Sequence, residues 1–112
     1  MPVMDVKTIE ACCPPLLTAP LDAADAAELA ASFKLLADPV RLRLLSLIAA
    51  APGGCACSCD LEAPVAKSQP TVSHHLSLLA DAGLITKRKE GCWVMCTVVP
   101  ERLAVLRDAL GG

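Results

Sequence analysis

The sequence predicts a mainly α-helical domain that carries one β-hairpin. Two observations lead there. Leucines, valines and a phenylalanine recur at helical spacing in three stretches (Leu29/Phe33/Leu36, Val72/Leu76/Leu79 and Leu103/Leu106/Leu110), while aromatic residues are nearly absent, with one Phe, one Trp and no Tyr. Sandwich folds draw on aromatic and β-branched residues that this chain lacks. The hairpin comes from LITKRKEGCWVMCTVV, two apolar strands around a charged turn at Glu90-Gly91. With 112 residues there is room for a single domain.

The elements follow in order. Residues 1–20 hold the vicinal Cys12–Cys13 with Pro14, Pro15 and Pro20 and read as an arm of little regular structure, leaving residues 21–112 as the folded domain. Asp22 caps a helix running to about Ala37. Asp38 and Pro39, as N-cap and first helical residue, open a second, VRLRLLSLIAAA, which is apolar on most sides apart from Arg41 and Arg43 and ends at Pro52-Gly53-Gly54. CACSCDLEAPVA has room for one short helix starting near Ser58. Ser68 caps the next helix, with Pro70 tolerated in its first turn and Gly83 placed to close it. After the hairpin, Pro100 and Glu101 open a final helix.

Composition excludes several classes. No apolar run reaches the roughly 20 residues a membrane span needs, and MPVMDVKTIEACCPP has neither the basic start nor the apolar stretch of a secretory signal. The expectation is a cytoplasmic protein with no membrane partner. Seven cysteines in a reducing compartment point to metal binding or thiol redox chemistry, and an odd number does not fit a complete disulfide framework within one chain. There is no nucleophile–base constellation and no Gly-rich cofactor motif, so neither an enzyme nor an organic cofactor is expected.

A net charge of −2 gives no hint of nucleic acid, but the distribution of charge does. Between Lys67 and Lys89 the bases Lys67, Lys87, Arg88 and Lys89 face one acid, Asp81. Short helix, turn, second helix and basic hairpin make a winged helix-turn-helix layout, in which the second helix enters the major groove. Away from the Val72/Leu76/Leu79 stripe of that helix lie Thr71, Ser73, His74 and Ser77, while His75 sits nearer the core. Ser68, Gln69, Thr71, Ser73 and His74, with Lys87, Arg88 and Lys89 of the wing, are the candidate DNA contacts.

Over about residues 25–110 the chain resembles the ArsR/SmtB family of metal-responsive bacterial repressors, through LLADPVRLRLLSLI, CSCDL and KSQPTVSHHLSLLADAGLITKRKEG. The resemblance implies a symmetric homodimer, built through the first and last helices, on a (pseudo)palindromic double-stranded operator. It also implies an inducer that weakens DNA binding.

Soft thiolates select As(III), Sb(III), Cd(II), Pb(II), Zn(II) or Cu(I). Extended backbone would align Cys55, Cys57 and Cys59 on one side, whereas helical backbone would spread Cys57 and Cys59 apart. Cys57 and Cys59 fall near the N-terminus of the predicted short helix, whose dipole favours thiolate. The resemblance points two ways. Cys57-Ser58-Cys59-Asp60-Leu61 is similar to the Cys-Val-Cys-Asp-Leu of one arsenic-sensing branch. Cys12, Cys13 and Cys55 match another, with an N-terminal Cys-Cys pair and a Gly-Gly-Cys, and imply a site joining one subunit's arm to the other's Cys55. The nine residues from Cys13 to Asp22 reach up to ~30 Å when extended. Cys12, Cys13 and Cys55 are the preferred ligands, with Cys57 and Cys59 as a second or substitute set and As(III) or Sb(III) as inducer. A Cd(II)/Pb(II)-responsive or thiol-redox-responsive repressor is the alternative. The last helix offers only Glu101 and Asp108, which argues against zinc-sensing relatives with histidine-lined sites there. Cys92 and Cys96, four apart on the second hairpin strand, share a face and are predicted to pack as small hydrophobes beneath the hairpin.

Overall fold

The computed structural model describes residues 19–110, so Cys12, Cys13 and nearly all of the expected arm lie outside the described residues. These residues fall into two compact units, one made of the residues up to Lys34 with those from Pro100 onward, the other of Leu35–Val99. Among them no helix is long and apolar enough to cross a membrane.

The first unit holds most of helix α1 (Ala23–Leu36) and all of helix α5 (Pro100–Ala109). Asp22 starts α1 as expected, its Oδ1 accepting from the Asp25 N–H at 2.8 Å. In α5 the buried residues are Val105, Leu106 and Ala109, and Leu110 is half exposed beyond the helix end. The expected Leu103/Leu106/Leu110 stripe is therefore rotated, because Ala109 rather than Leu110 continues the buried face from Val105.

The second unit begins with α2 (Pro39–Ala50). Asp38 caps it, one carboxylate oxygen accepting from Val40 N–H at 2.8 Å and Arg41 N–H at 3.1 Å. These bonds, the Arg41 one foremost, hold the Asp38 carboxyl below its ordinary pKa. Its contribution is therefore present above the unfolded-state pKa and is lost as pH falls through the lower folded value. Asp38→Ala is expected to lower Tm by about 5 °C at neutral pH, and Asp38→Asn to restore most of it. Thermal melts at pH 7 and below pH 4 check both points, the wild-type advantage over alanine shrinking in acid.

After α2, Pro52–Gly54 makes one tight turn in which Gly53 and Gly54 take positive φ, as only glycine does readily. The single helix expected across residues 55–66 is not what forms. Cys55–Cys57 is a strand, β1, followed by a 3-10 turn at Ser58–Asp60 and a four-residue helix α3 (Glu62–Val65). α4 (Gln69–Asp81) follows, capped by Ser68 and closed by Gly83 at φ 79°, with Leu84 N–H returning to the Leu79 carbonyl at 3.0 Å. β2 (Ile85–Glu90) and β3 (Trp93–Val98) form the hairpin, and β1 adds to its far side, giving an antiparallel sheet in the order β1-β3-β2. The register pairs Cys57 with Met95, and Met95 with Arg88.

The core of this unit is Leu44, Leu45 and Ile48 of α2, Val72, Leu76 and Leu79 of α4, and Leu84, Ile85 and Cys96 of the hairpin region. Cys96 is fully buried, and burial above all pushes its thiol pKa up, which suits a packing role. Cys92 does not join it: it lies in the β2–β3 turn and is exposed, because the strand begins only at Trp93.

Candidate nucleic-acid interface and thiol cluster

α4 presents its polar side as the sequence anticipated. Gln69, Thr71 and His74 are exposed and Ser73 half-buried, while Val72, Leu76 and Leu79 fix the helix from beneath. Ser68 is occupied locally: its hydroxyl accepts from Thr71 N–H at 3.4 Å and donates to Thr71 Oγ1 at 3.0 Å. That ties two candidate contacts into the helix cap.

The wing's bases are exposed along β2. Lys87 Nζ donates to Ser77 Oγ at 2.8 Å, joining wing to α4. Arg88 Nε donates to Glu90 Oε2 at 2.6 Å, an exposed pair that holds the guanidinium in place but contributes little to stability. Trp93, opposite Glu90 in the register, is half exposed at the base of the turn.

Two arginines that interrupt the apolar sequence of α2 make contacts to α4 and α3. Arg41 Nε donates to the Leu35 carbonyl at 2.7 Å, and its Nη1 lies 3.3 Å from His75 Nδ1 on α4. With the guanidinium as donor, the His75 Nδ1 accepts, which is the half-buried structural role expected of this histidine. Arg43 Nη1 donates to the Pro64 carbonyl of α3 at 2.9 Å. An arginine inside an otherwise apolar helix was the only sequence signal for either contact.

Of the seven cysteines, Cys55, Cys57 and Cys59 are the candidate thiols in the described residues. Cys55 and Cys57 alternate on β1 and so share one face of the sheet. The 3-10 turn then brings Cys59 back, with Sγ 2.8 Å from Cys57 Sγ, and Cys59 Sγ donates to Asp60 Oδ1 at 3.8 Å. The hydrogen bond to Cys57, then burial and the Asp60 charge, push the Cys59 pKa up to about 11. This reverses the expected helix-dipole effect. The thiols precede a four-residue helix that starts only at Glu62, and an acid is the immediate neighbour. Among the described residues no three His, Cys, Asp or Glu side chains converge to hold a metal ion. The pair is thus a two-sulfur donor set, and Cys55 completes a three-sulfur set only with thiols from elsewhere.

Known proteins share this organisation. Residues 38–87 match the family described as bacterial regulatory protein, arsR family. A putative arsenical resistance operon repressor of Halobacterium salinarum is 44% identical over 94 residues, covering 81% of this chain and 72% of that one. The arsenical resistance operon repressor of Escherichia coli K12 is 43% identical over 68 residues, 61% of this chain, which spans 56% of that relative's length. The crystal structure of the antimony-specific transcriptional repressor AntR superposes with a TM-score of 0.66 at 34% identity, over 80% of each chain. Identity of that order through most of a relative, on a shared helix–turn–helix–wing scaffold, makes this chain a member of the arsR family of bacterial regulatory proteins.

Proposed function

We propose that the protein is a homodimeric repressor that binds a double-stranded operator and releases it when As(III) or Sb(III) joins its cysteine thiols. In this reading Ser68, Gln69, Thr71, Ser73 and His74 face the major groove, and Lys87, Arg88 and Lys89 take the phosphates. Cys12, Cys13 and Cys55 hold the metalloid, with Cys57 and Cys59 as a second or substitute set. The observation that carries it is the pairing of β1 with β3: the thiol-bearing strand belongs to the same sheet as the basic strand β2. A ligand that reshapes β1 therefore acts on the wing without a long relay. The arsenical and antimony repressors among the relatives support the choice of inducer.

Energetically the requirement is small. A hundredfold loss of operator affinity takes about 2.7 kcal/mol of coupling, and the DNA-bound dimer must then hold the metalloid a hundredfold more weakly than the free dimer. The test is fluorescence anisotropy of a duplex from the protein's own promoter, titrated with arsenite. Wild type is expected to release the duplex, and Cys55→Ser to bind it equally well but keep it. Release from both proteins would move the ligands to Cys57 and Cys59. Release by cadmium or peroxide, but not by arsenite or antimonite, would replace the metalloid with the Cd(II)/Pb(II) or redox reading.

A further inference from the structure

The chain's one tryptophan, Trp93, leaves 53% of its surface exposed, although tryptophan is on average highly buried. It opens β3 beside the β2–β3 turn, opposite Glu90 in the register. Cross-strand partners share a face of the sheet, so Trp93 and Glu90 lie on the same side as Arg88, whose partner is Met95. Arg88 is kept there by its bond from Nε to Glu90 Oε2. Lys87 and Lys89 alternate onto the other side, where Lys87 meets Ser77 of α4. The end of the hairpin is therefore an exposed indole among cations. An apolar protein surface would have to strip those cations of water, whereas a polyanion pairs with them.

The hairpin also has the reach. Ile85 is buried at the foot of β2, and the steps from there to Glu90 span about 17 Å at ~3.3 Å per residue. Half a turn of B-DNA is about 17 Å as well, which is the spacing between a major groove and the minor groove beside it. With α4 in the major groove, the hairpin end comes to that minor groove. There the indole N–H, a donor only, meets a simple code. A·T pairs present acceptors alone, adenine N3 and thymine O2, whereas G·C adds the guanine N2 amino donor. We propose that Trp93 contacts the minor groove flanking each half-site, its ring against the sugar edges and its N–H on base acceptors, and so favours A·T over G·C at those pairs. The proposal rests on the operator reading above and adds to it a residue that sets specificity, whatever the inducer.

Because the chain has a single tryptophan, its fluorescence reports on Trp93 alone. The experiment follows that fluorescence, and the anisotropy of duplexes from the protein's own promoter, with the full chain. The pairs half a turn to either side of each half-site centre are set to A·T, G·C or inosine·C, the last keeping the major-groove face of G·C without the N2 amino group. Wild type should be quenched by the duplex, bind A·T and inosine·C alike, and bind G·C about fivefold more weakly. Trp93→Phe, which keeps the ring but not the N–H, should retain most of the affinity and lose the preference. Trp93→Ala should lose both, A·T binding falling about tenfold, with circular dichroism confirming the fold. Operator binding without quenching, inosine·C behaving as G·C, or a preference that survives in Trp93→Phe would overturn the site and leave the operator reading standing. Fluorescence that follows protein concentration but not DNA would overturn it too, placing Trp93 between copies of the chain. If wild type binds no duplex, both readings fall.

Discussion

Replacing Lys87, Arg88 and Lys89 together by alanine is expected to weaken operator binding at least a hundredfold at physiological salt while leaving the fold intact. All three side chains are exposed on β2, so their loss opens no cavity. Each phosphate neutralised releases condensed counterions, and log K falls with log salt by about 0.9 per contact. The triple variant should therefore show a salt slope shallower by up to about 3 per subunit, measured by anisotropy from 50 to 300 mM salt. Lys87 is the member to separate from the others. Its bond to Ser77 couples the wing to α4, the proposed groove-reading helix, so Lys87→Ala alone should cost sequence discrimination as well as affinity. A triple variant with unchanged slope would remove the wing from the DNA interface.

Leu79→Ala is expected to destabilise the protein by about 3–4 kcal/mol and to lower Tm by roughly 10 °C or more. Leu79 is wholly buried on α4 in the stripe with Val72 and Leu76, and truncation leaves a hole that such a densely packed site closes only in part. The stripe also sets the azimuth at which Thr71 and His74 point outward, so operator affinity should fall even where the variant remains folded. Chemical denaturation at fixed protein concentration gives the stability, since an obligate dimer would make it concentration-dependent. Leu79→Met, which keeps the volume, should recover most of both losses.

The chain signals some of this architecture far more clearly than the rest. Asp22, Asp38 and Ser68 each start the helix they were expected to cap, because capping is a contact within three residues and needs no tertiary partner. The Val72/Leu76/Leu79 face and the Gly83 close are local for the same reason. Whether Cys55–Cys57 is extended or helical is open in the sequence because Cys-Ala-Cys is too short for a period-two pattern, and its strand character comes from pairing with β3 some forty residues away. α3 ends at Ala66, whose φ of 56° a reader would sooner expect of glycine. The contact between Cys57 and Cys59 depends on that same unforeseen mixture, one residue in a strand and the other in a 3-10 turn. Of the preferred ligand set, Cys55 alone falls within the described residues, at the start of β1.

The sheet order leaves β2 as one edge, and the exposed residues along that edge are Thr86, Lys87, Arg88, Lys89 and Glu90. An open strand edge is a template for the strand of any other chain, and lysine-rich sequence is one of the common ways such an edge is kept from accreting neighbours. The opposite edge, β1, is only three residues long and offers little to build on. Hence the cations proposed to draw the wing to phosphate would also protect the unbound protein: away from DNA, mutual repulsion along β2 would keep copies from zipping edge to edge.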